Sequence, residues 1–387
     1  MTRSPRFVVG LLLGLAPIIG ASRVAHAQGA LSLQGFGYPT GELSTRAEGT
    51  AGATGEIDGR SPLNPAALAI GAQSGLYMQY DPELRSVSSG GMSSSTTTSR
   101  FPNVGVMLPF MGHWVVGLSA STFLDRTWQT QASSVENIGP DTVTRTQILR
   151  SEGGITDVRL ALAYAINSRI RIGIGGHGYS GSDRIALTQQ FADTLDFRDF
   201  SETTSLRYAG NAVSGGVEVD LLPSLSLSVS GRAGGTLRMY TGDTLLSTGR
   251  VPNHYAGSLT FQGIPGTLLA VRVAHDQWSS LSSLSVDTTA TRSQAIDAND
   301  VSAGVESNGP HLGDQQIAIR LGVRVRTLPF DLGMTPIHET SFGGGLGIPL
   351  AQNHAVIDLA LLHSDRHGVS GISESAYNFS IGLSVRP

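Results

Sequence analysis

The chain has 387 residues, a formal net charge of −4, 49 glycines, no cysteine and only 14% charged residues. Absence of cysteine excludes disulfides, thiolate chemistry and cysteine-ligated metals, and the acidic balance excludes the basic footprint of a nucleic-acid binder. A water-soluble domain of this size usually carries about a quarter charged residues, so the low charge favours a fold that hides much of its surface from water.

Residues 1–27 read as an export signal: Arg3 and Arg6 give the positive start, Phe7 to Gly20 the apolar stretch, and Ala25-His26-Ala27 a small-x-small site with the cut between Ala27 and Gln28. The apolar run is shorter than the ~20 residues that cross a bilayer as a helix. No later stretch is long and apolar enough to do so, which excludes a helical membrane protein. With the leader gone, 23 arginines face 30 acidic residues, a net charge of about −7. Every basic residue is arginine.

Residues 28–71 lack any alternation and are rich in small residues, with glycines at 29, 35, 37, 41, 49, 52, 55 and 59. The segment is too polar for lipid and too poor in apolar residues to build its own core. It is predicted to form a plug inside or beneath the remainder of the chain. Within it, Asn64 is placed to cap a short helix beginning at Pro65 and continuing through Ala66.

From residue 72 to 387 the pattern changes to strict period two. Trp114, Val116, Leu118, Ala120 and Leu124 oppose Gly117, Ser119 and Ser121; Val158, Leu160, Leu162 and Tyr164 oppose Arg159, Ala161 and Ala163. Ile317, Ile319, Leu321, Val323 and Val325 oppose Ala318, Arg320, Gly322, Arg324 and Arg326, and the last strand sets Phe379, Ile381, Leu383 and Val385 against Ser380, Gly382 and Ser384. Aliphatics on one face and small or polar residues on the other suit strands of a transmembrane barrel. On this basis Leu321→Arg should be costly and Arg320→Leu should disturb only the lumen.

The predicted strands are 72–83, 97–109, 113–131, 141–165, 169–191, 201–221, 224–243, 250–263, 266–280, 298–309, 315–327, 338–349, 354–365 and 373–386, fourteen in all. Their connections alternate short (110–112, 167–168, 222–223, 264–265, 310–314, 350–353) and mostly long (84–96, 132–140, 192–200, 244–249, 281–297, 328–337, 366–372), as the two ends of such a barrel require. Stretches 86–99 and 279–295, rich in Ser, Thr and Gly, are expected to be mobile outer loops.

Several short segments together resemble the FadL family of outer-membrane transporters for long-chain fatty acids and other hydrophobic compounds. They are the glycine-rich start, Leu63-Asn64-Pro65-Ala66-Ala67-Leu68, Val106-Met107-Leu108-Pro109 before a tight turn, Arg320-Leu321-Gly322 with Leu328-Pro329-Phe330, and the ending Ser380-Ile381-Gly382-Leu383-Ser384-Val385-Arg386. The resemblance implies an all-β, fourteen-stranded antiparallel barrel in the outer membrane of a Gram-negative-type bacterium, with an N-terminal hatch. It also implies a hydrophobic small molecule or lipid as ligand, a path leaving sideways through the wall, and contact with the outer-membrane assembly machinery. The chain departs from the family in ending Arg386-Pro387 rather than in an aromatic residue. A sister group resembling PorV, a shuttle of type IX secretion, has a similar barrel, so a scaffold or shuttle role is the alternative.

Gly173-Ile174-Gly175-Gly176-His177-Gly178 fits G-x-G-x-x-G, but strand rather than helix comes after it, so a bend of the wall is expected in place of a dinucleotide site. His363, Asp365 and His367 lack a fourth ligand, and no serine, histidine and acid share a spacing that marks a nucleophile with its base. No enzyme activity, cofactor or metal is expected. Arg320, Arg324 and Arg326 are expected to line the lumen, as barrel ion pairs or as a polar lining near a ligand carboxylate.

Overall fold

The computed structural model describes residues 23–28, 37–71, 74–89, 92–138, 141–192, 198–284, 294–313, 315–332, 335–350, 352, 354–368 and 371–386. Most of the expected leader, residues 1–22, lies outside the described residues.

The alternating segments form a closed antiparallel barrel. Its wall strands are β1 (Gly75–Ser89), β2 in two arms (Met92–Arg100 and Asn103–Phe110), β3 in two arms (Trp114–Asp125 and Trp128–Ile138), β4 (Asp141–Ala165) and β5 (Ile170–Phe191). They continue as β6 (Phe200–Leu222), β7 (Leu225–Thr241), β8 in two arms (Thr244–Arg250 and His254–Ile264), β9 (Thr267–Asp276) and β10 (Ala298–Leu312). Last come β11 (Gln315–Leu332), β12 (Thr335–Leu350), β13 (Ala355–His367) and β14 (Ile372–Val385). Closure comes from β14 pairing with β1, Val385 opposite Leu76 and Ile372 opposite Ser89. Fourteen strands and the all-β class are therefore as the alternation predicted.

The facing of each strand obeys the same alternation. Leu118, Leu160, Ile174, Leu321 and Phe379 are exposed, while Ser121, Arg159, His177, Arg320 and Ser380 on the opposite faces are buried. A belt of exposed aliphatics this continuous is stable against hydrocarbon rather than water. At the short-turn end Trp114 packs on Tyr164 at 4.5 Å between ring centroids and on Phe110 at 6.4 Å, the amphipathic rings that favour a membrane boundary.

Two expectations are corrected. Alternation puts Leu124 on the outward face, but a bulge between Thr122 and Leu124 shifts the register, and the side chain turns inward to 1% exposure. The stretches 84–96, 132–140, 244–249 and 328–337 are largely paired strand rather than loop, with Ser89 opposite Met92, Ile138 opposite Asp141, Thr241 opposite Thr244 and Leu332 opposite Thr335. Beyond the apolar belt neither face of a hairpin meets lipid. Serine and threonine, the latter a good strand former, replace the aliphatics there and erase the hydrophobic signal. The stretch 86–99 belongs to such a hairpin; of 279–295, Trp278–Leu284 forms a 3-10 helix and 285–293 lie outside the described residues.

Residues 37–71 pack against inward-facing side chains on many sides of the barrel. Here a short helix, α1 (Thr45–Gly49), is capped by the Ser44 hydroxyl, and 3-10 turns come next at Gly55–Ile57 and Pro65–Ala69. The wall is built to admit them. A Cβ at Gly173 would lie 2.5 Å from Ala66 N, and one at Gly322 would lie 2.1 Å from Thr50 O, so glycine alone allows backbone to approach backbone at these two points.

Candidate functional site

The inner segment is held by directed polar contacts. Asn64 Oδ1 accepts from the Ala66 amide at 2.9 Å, and its Nδ2 donates to Glu56 O at 3.0 Å and to Ser228 Oγ on β7 at 2.7 Å. Arg46 forms a bidentate pair with Glu306 on β10 at 2.7 and 2.8 Å, and Arg60 reaches Asp358 on β13 at 2.7 Å. Glu56 accepts from Arg272 on β9 at 3.0 Å and Ser230 on β7 at 2.6 Å. Burial alone would raise the Asp58 carboxyl, but the Arg60 and Arg46 guanidiniums and the Ser44 hydroxyl hold it well below the usual carboxylate range. Asn64→Ala removes three buried hydrogen bonds, and is expected to weaken docking of the segment by about 1–3 kcal/mol. Faster protease cleavage within 37–71, with the barrel intact on a gel, would report it.

Arg320, Arg324 and Arg326 all point inward, and each is already paired. Arg320 donates to Glu306 and Asp358, both at 2.6 Å; Arg324 donates to Asp300 at 2.9 Å; Arg326 donates to Glu339 at 2.6 Å and also contacts the Tyr38 hydroxyl. Tyr38 donates to Glu339 at 3.0 Å while accepting from Arg366 at 2.9 Å. With their donors directed at protein carboxylates, these arginines serve barrel ion pairing, and a ligand carboxylate would have to displace a buried acid to reach them. His363, Asp365 and His367 do not converge as a metal site, and among the described residues no group of three or more potential metal ligands is found.

Toward the long-hairpin end the interior becomes apolar. Phe123 stacks on Trp278 at 5.2 Å and meets Tyr179 edge-on at 4.9 Å. Leu124, Ile155, Leu206, Leu237, Val251, Leu281, Leu328 and Phe330 are among the other members of this cluster, which the 3-10 helix Trp278–Leu284 closes from the hairpin side. Sequence reasoning missed the cluster because its members come from separate strands and one of them, Leu124, depends on the bulge in β3.

The wall beside this cluster is unzipped. The lower arms of β2 and β3 pair from Asn103–Ser121 to Phe110–Trp114, and the Thr122 amide still donates to Pro102 O at 2.8 Å. Above that point the upper arm of β2 pairs with β1, the upper arm of β3 pairs with β4, and no ladder joins the two arms among the described residues. An opening of about 410 Å³ lies here, lined by Arg100, Thr122, Asp125, Gly153, Gly154 and Ile155 among others. Ile155 belongs to both the opening and the apolar cluster. Arg100 crosses the foot of the seam to Asp125 at 2.5 Å.

A short strand, Arg23–Gln28, pairs antiparallel with the upper arm of β3, Gln28 opposite Gln129 and Arg23 opposite Ser133. Five of its six residues belong to the leader expected to be removed at Ala27.

No known protein-family profile matches the chain, and no curated protein matches it. Solved structures do. A FadL homologue of Pseudomonas aeruginosa superposes with a TM-score of 0.60 at 12% identity, covering 91% of this chain and 99% of that one. The toluene transporter TbuX of Ralstonia pickettii gives 0.58 at 16% identity over 92% and 100%, and the toluene transporter TodX of Pseudomonas putida gives 0.53 at 12% over 92% and 99%. The chain thus has the fold of the FadL-type barrels.

Proposed function

We propose that this barrel lies in an outer membrane and passes hydrophobic compounds passively from its hairpin end, through the apolar cluster, and out sideways through the seam between β2 and β3. The observation that carries this is the juxtaposition at Ile155, where an interior made of aromatic and aliphatic side chains meets the stretch of wall with no strand ladder. Only the foot of the seam, at Arg100, Thr122 and Asp125, borders the lipid-facing part of the wall, and an unpaired strand edge at that depth is costly. Its persistence here, beside an opening lined by Gly153 and Gly154, supports a portal. Two barrels of like fold are toluene transporters by name. The paired state of Arg320, Arg324 and Arg326 favours a neutral ligand over a carboxylate, so toluene-like or alkane-like compounds are preferred to long-chain fatty acids. Residues 37–71 act as the plug that blocks water and ions below the cluster, and removal of the leader at Ala27 frees the seam of the short strand paired to β3.

The test is uptake into lipid vesicles holding the mature chain, measured with a radiolabelled neutral hydrocarbon and a long-chain fatty acid, beside ion conductance. Saturable hydrocarbon uptake with little conductance is expected. Thr122→Trp, which fills the mouth of the opening, should cut uptake several-fold with the folded fraction unchanged. Free conductance without uptake would make the protein a general porin instead.

A further inference from the structure

Three inward-facing residues on neighbouring strands form a hydrogen-bonded chain that neither the plug nor the apolar path uses. Ser214 on β6 lies 2.8 Å from His177 Nε2 on β5, and His177 Nδ1 lies 2.9 Å from Asp157 Oδ2 on β4. Asp157 also accepts from the Tyr179 hydroxyl at 3.0 Å. All three are at least nine-tenths buried. Hydroxyl to Nε2 and Nδ1 to carboxylate is the order in which a serine nucleophile, its base and the base's orienting acid are joined.

Two further features accompany this cluster. Arg159, two residues beyond Asp157 on the same face, is 3% exposed, yet its Nε and Nη1 have no hydrogen-bond partner. A Cβ built on Gly175 would lie 2.6 Å from Ser214 Oγ and 3.7 Å from Arg159 Cδ, so the serine hydroxyl and the arginine stem both approach the space over that glycine. The cluster also has an apolar approach, because Tyr179 belongs to the aromatic cluster and lies nearly parallel to the His177 ring.

We propose that Ser214, His177 and Asp157 are an acyl-transfer centre that hydrolyses apolar carboxylic esters reaching the lumen, with the free N–H groups of Arg159 stabilising the oxyanion. Ser214 Oγ attacks the ester carbonyl and its proton passes to His177 Nε2. The tetrahedral oxyanion collapses, the C–O bond to the alcohol breaks, and the alcohol leaves with that proton. Water, deprotonated by His177, then attacks the acyl-serine, releasing the carboxylic acid and restoring the serine. No oxidant, reductant or metal enters the balance. Asp157 acts as a positioning residue that fixes the histidine ring, with Tyr179 holding Asp157 in turn.

The experiment uses the full mature chain in detergent, where vectorial passage plays no part, so its outcome is independent of the transport reading. The protein is treated with an alkyl fluorophosphonate, mapped by peptide mass, and assayed with p-nitrophenyl butyrate. A single adduct on Ser214 is expected, with ester turnover lowered more than about 100-fold in Ser214→Ala, strongly reduced in Asp157→Asn, and unchanged in Ser341→Ala, which alters another buried inward serine. Folding of each variant is checked by its heat-modifiable gel mobility. A folded wild-type protein with no adduct on Ser214, an adduct without turnover, or turnover that survives in Ser214→Ala would each overturn the proposal. The wild-type mapping decides even if a variant fails to fold.

Discussion

Leu321→Arg and Arg320→Leu are both expected to destabilise the barrel, although they lie side by side on β11 and the alternation alone would make the second harmless. Leu321 is 59% exposed at the middle of the outward run Ile317 to Val325. An arginine there would sit in hydrocarbon near the midplane at a cost of about 2–4 kcal/mol. Arg320 bridges Glu306 and Asp358 in the interior, and Asp358 is fully buried. Removing the guanidinium strands part of that charge, which costs about 3–5 kcal/mol for a broken buried pair, tempered by Arg46 and Arg60 on the remaining carboxylate oxygens. Denaturant titration of vesicle-folded protein would measure both. The mechanisms separate in a double-mutant cycle with Asp358→Asn: strong coupling is expected for Arg320→Leu and near-additivity for Leu321→Arg. Full stability of Arg320→Leu would show that the interior ion pairs are not placed as described.

Deleting residues 38–69 is expected to leave a folded barrel and to open it. The ladder that closes the wall, from β1 through β14, uses none of those residues, so heat-modifiable mobility should persist. Glu306, Asp358 and Ser228 would lose their inner partners and become hydrated. A barrel of this circumference without its filling leaves an aqueous channel, and ion conductance in planar bilayers should rise by more than about tenfold over the full mature chain. An equally tight deletion variant would mean that the hairpin-end cluster around Trp278, and not the inner segment, closes the lumen.

How much of the fold and the site is legible in the sequence depends on what lipid does to composition. Wherever a strand crosses the apolar belt, one face must be aliphatic, so segments such as 317–325 and 379–385 announce their position and facing. Past the belt that pressure vanishes. The hairpin Met92–Arg100 with β1 is built from serine and threonine and reads as loop. The bulge at Thr122 has no local marker, and the seam above Asn103 is a missing pairing, which no single strand can reveal. Ion-pair partners such as Arg60 and Asp358 are almost three hundred residues apart, and only closure of the barrel brings them together. The Asp157, His177 and Ser214 cluster is half legible. The short turn after β4 fixes Ala165 opposite Arg171, which by counting puts Asp157 opposite Tyr179 and His177 one pleat away. Ser214 lies beyond a longer connection, and its register cannot be counted in the same way.

If ligand enters by the proposed path, the lengths of the central strands bear on the rate at which it arrives. β4 has 25 residues, and β5 and β6 have 22 and 23. At ~3.3 Å per residue and a tilt of ~40°, β4 rises about 60 Å, while the apolar belt accounts for roughly 25 Å. About half of the strand therefore stands in water as part of a fence of hydroxyl-bearing hairpins. On the proposed path, a sparingly soluble molecule would have to diffuse down past that fence before it touches Trp278. At trace concentrations, flux should then scale with the height and crowding of the fence more than with affinity for the cluster beneath it.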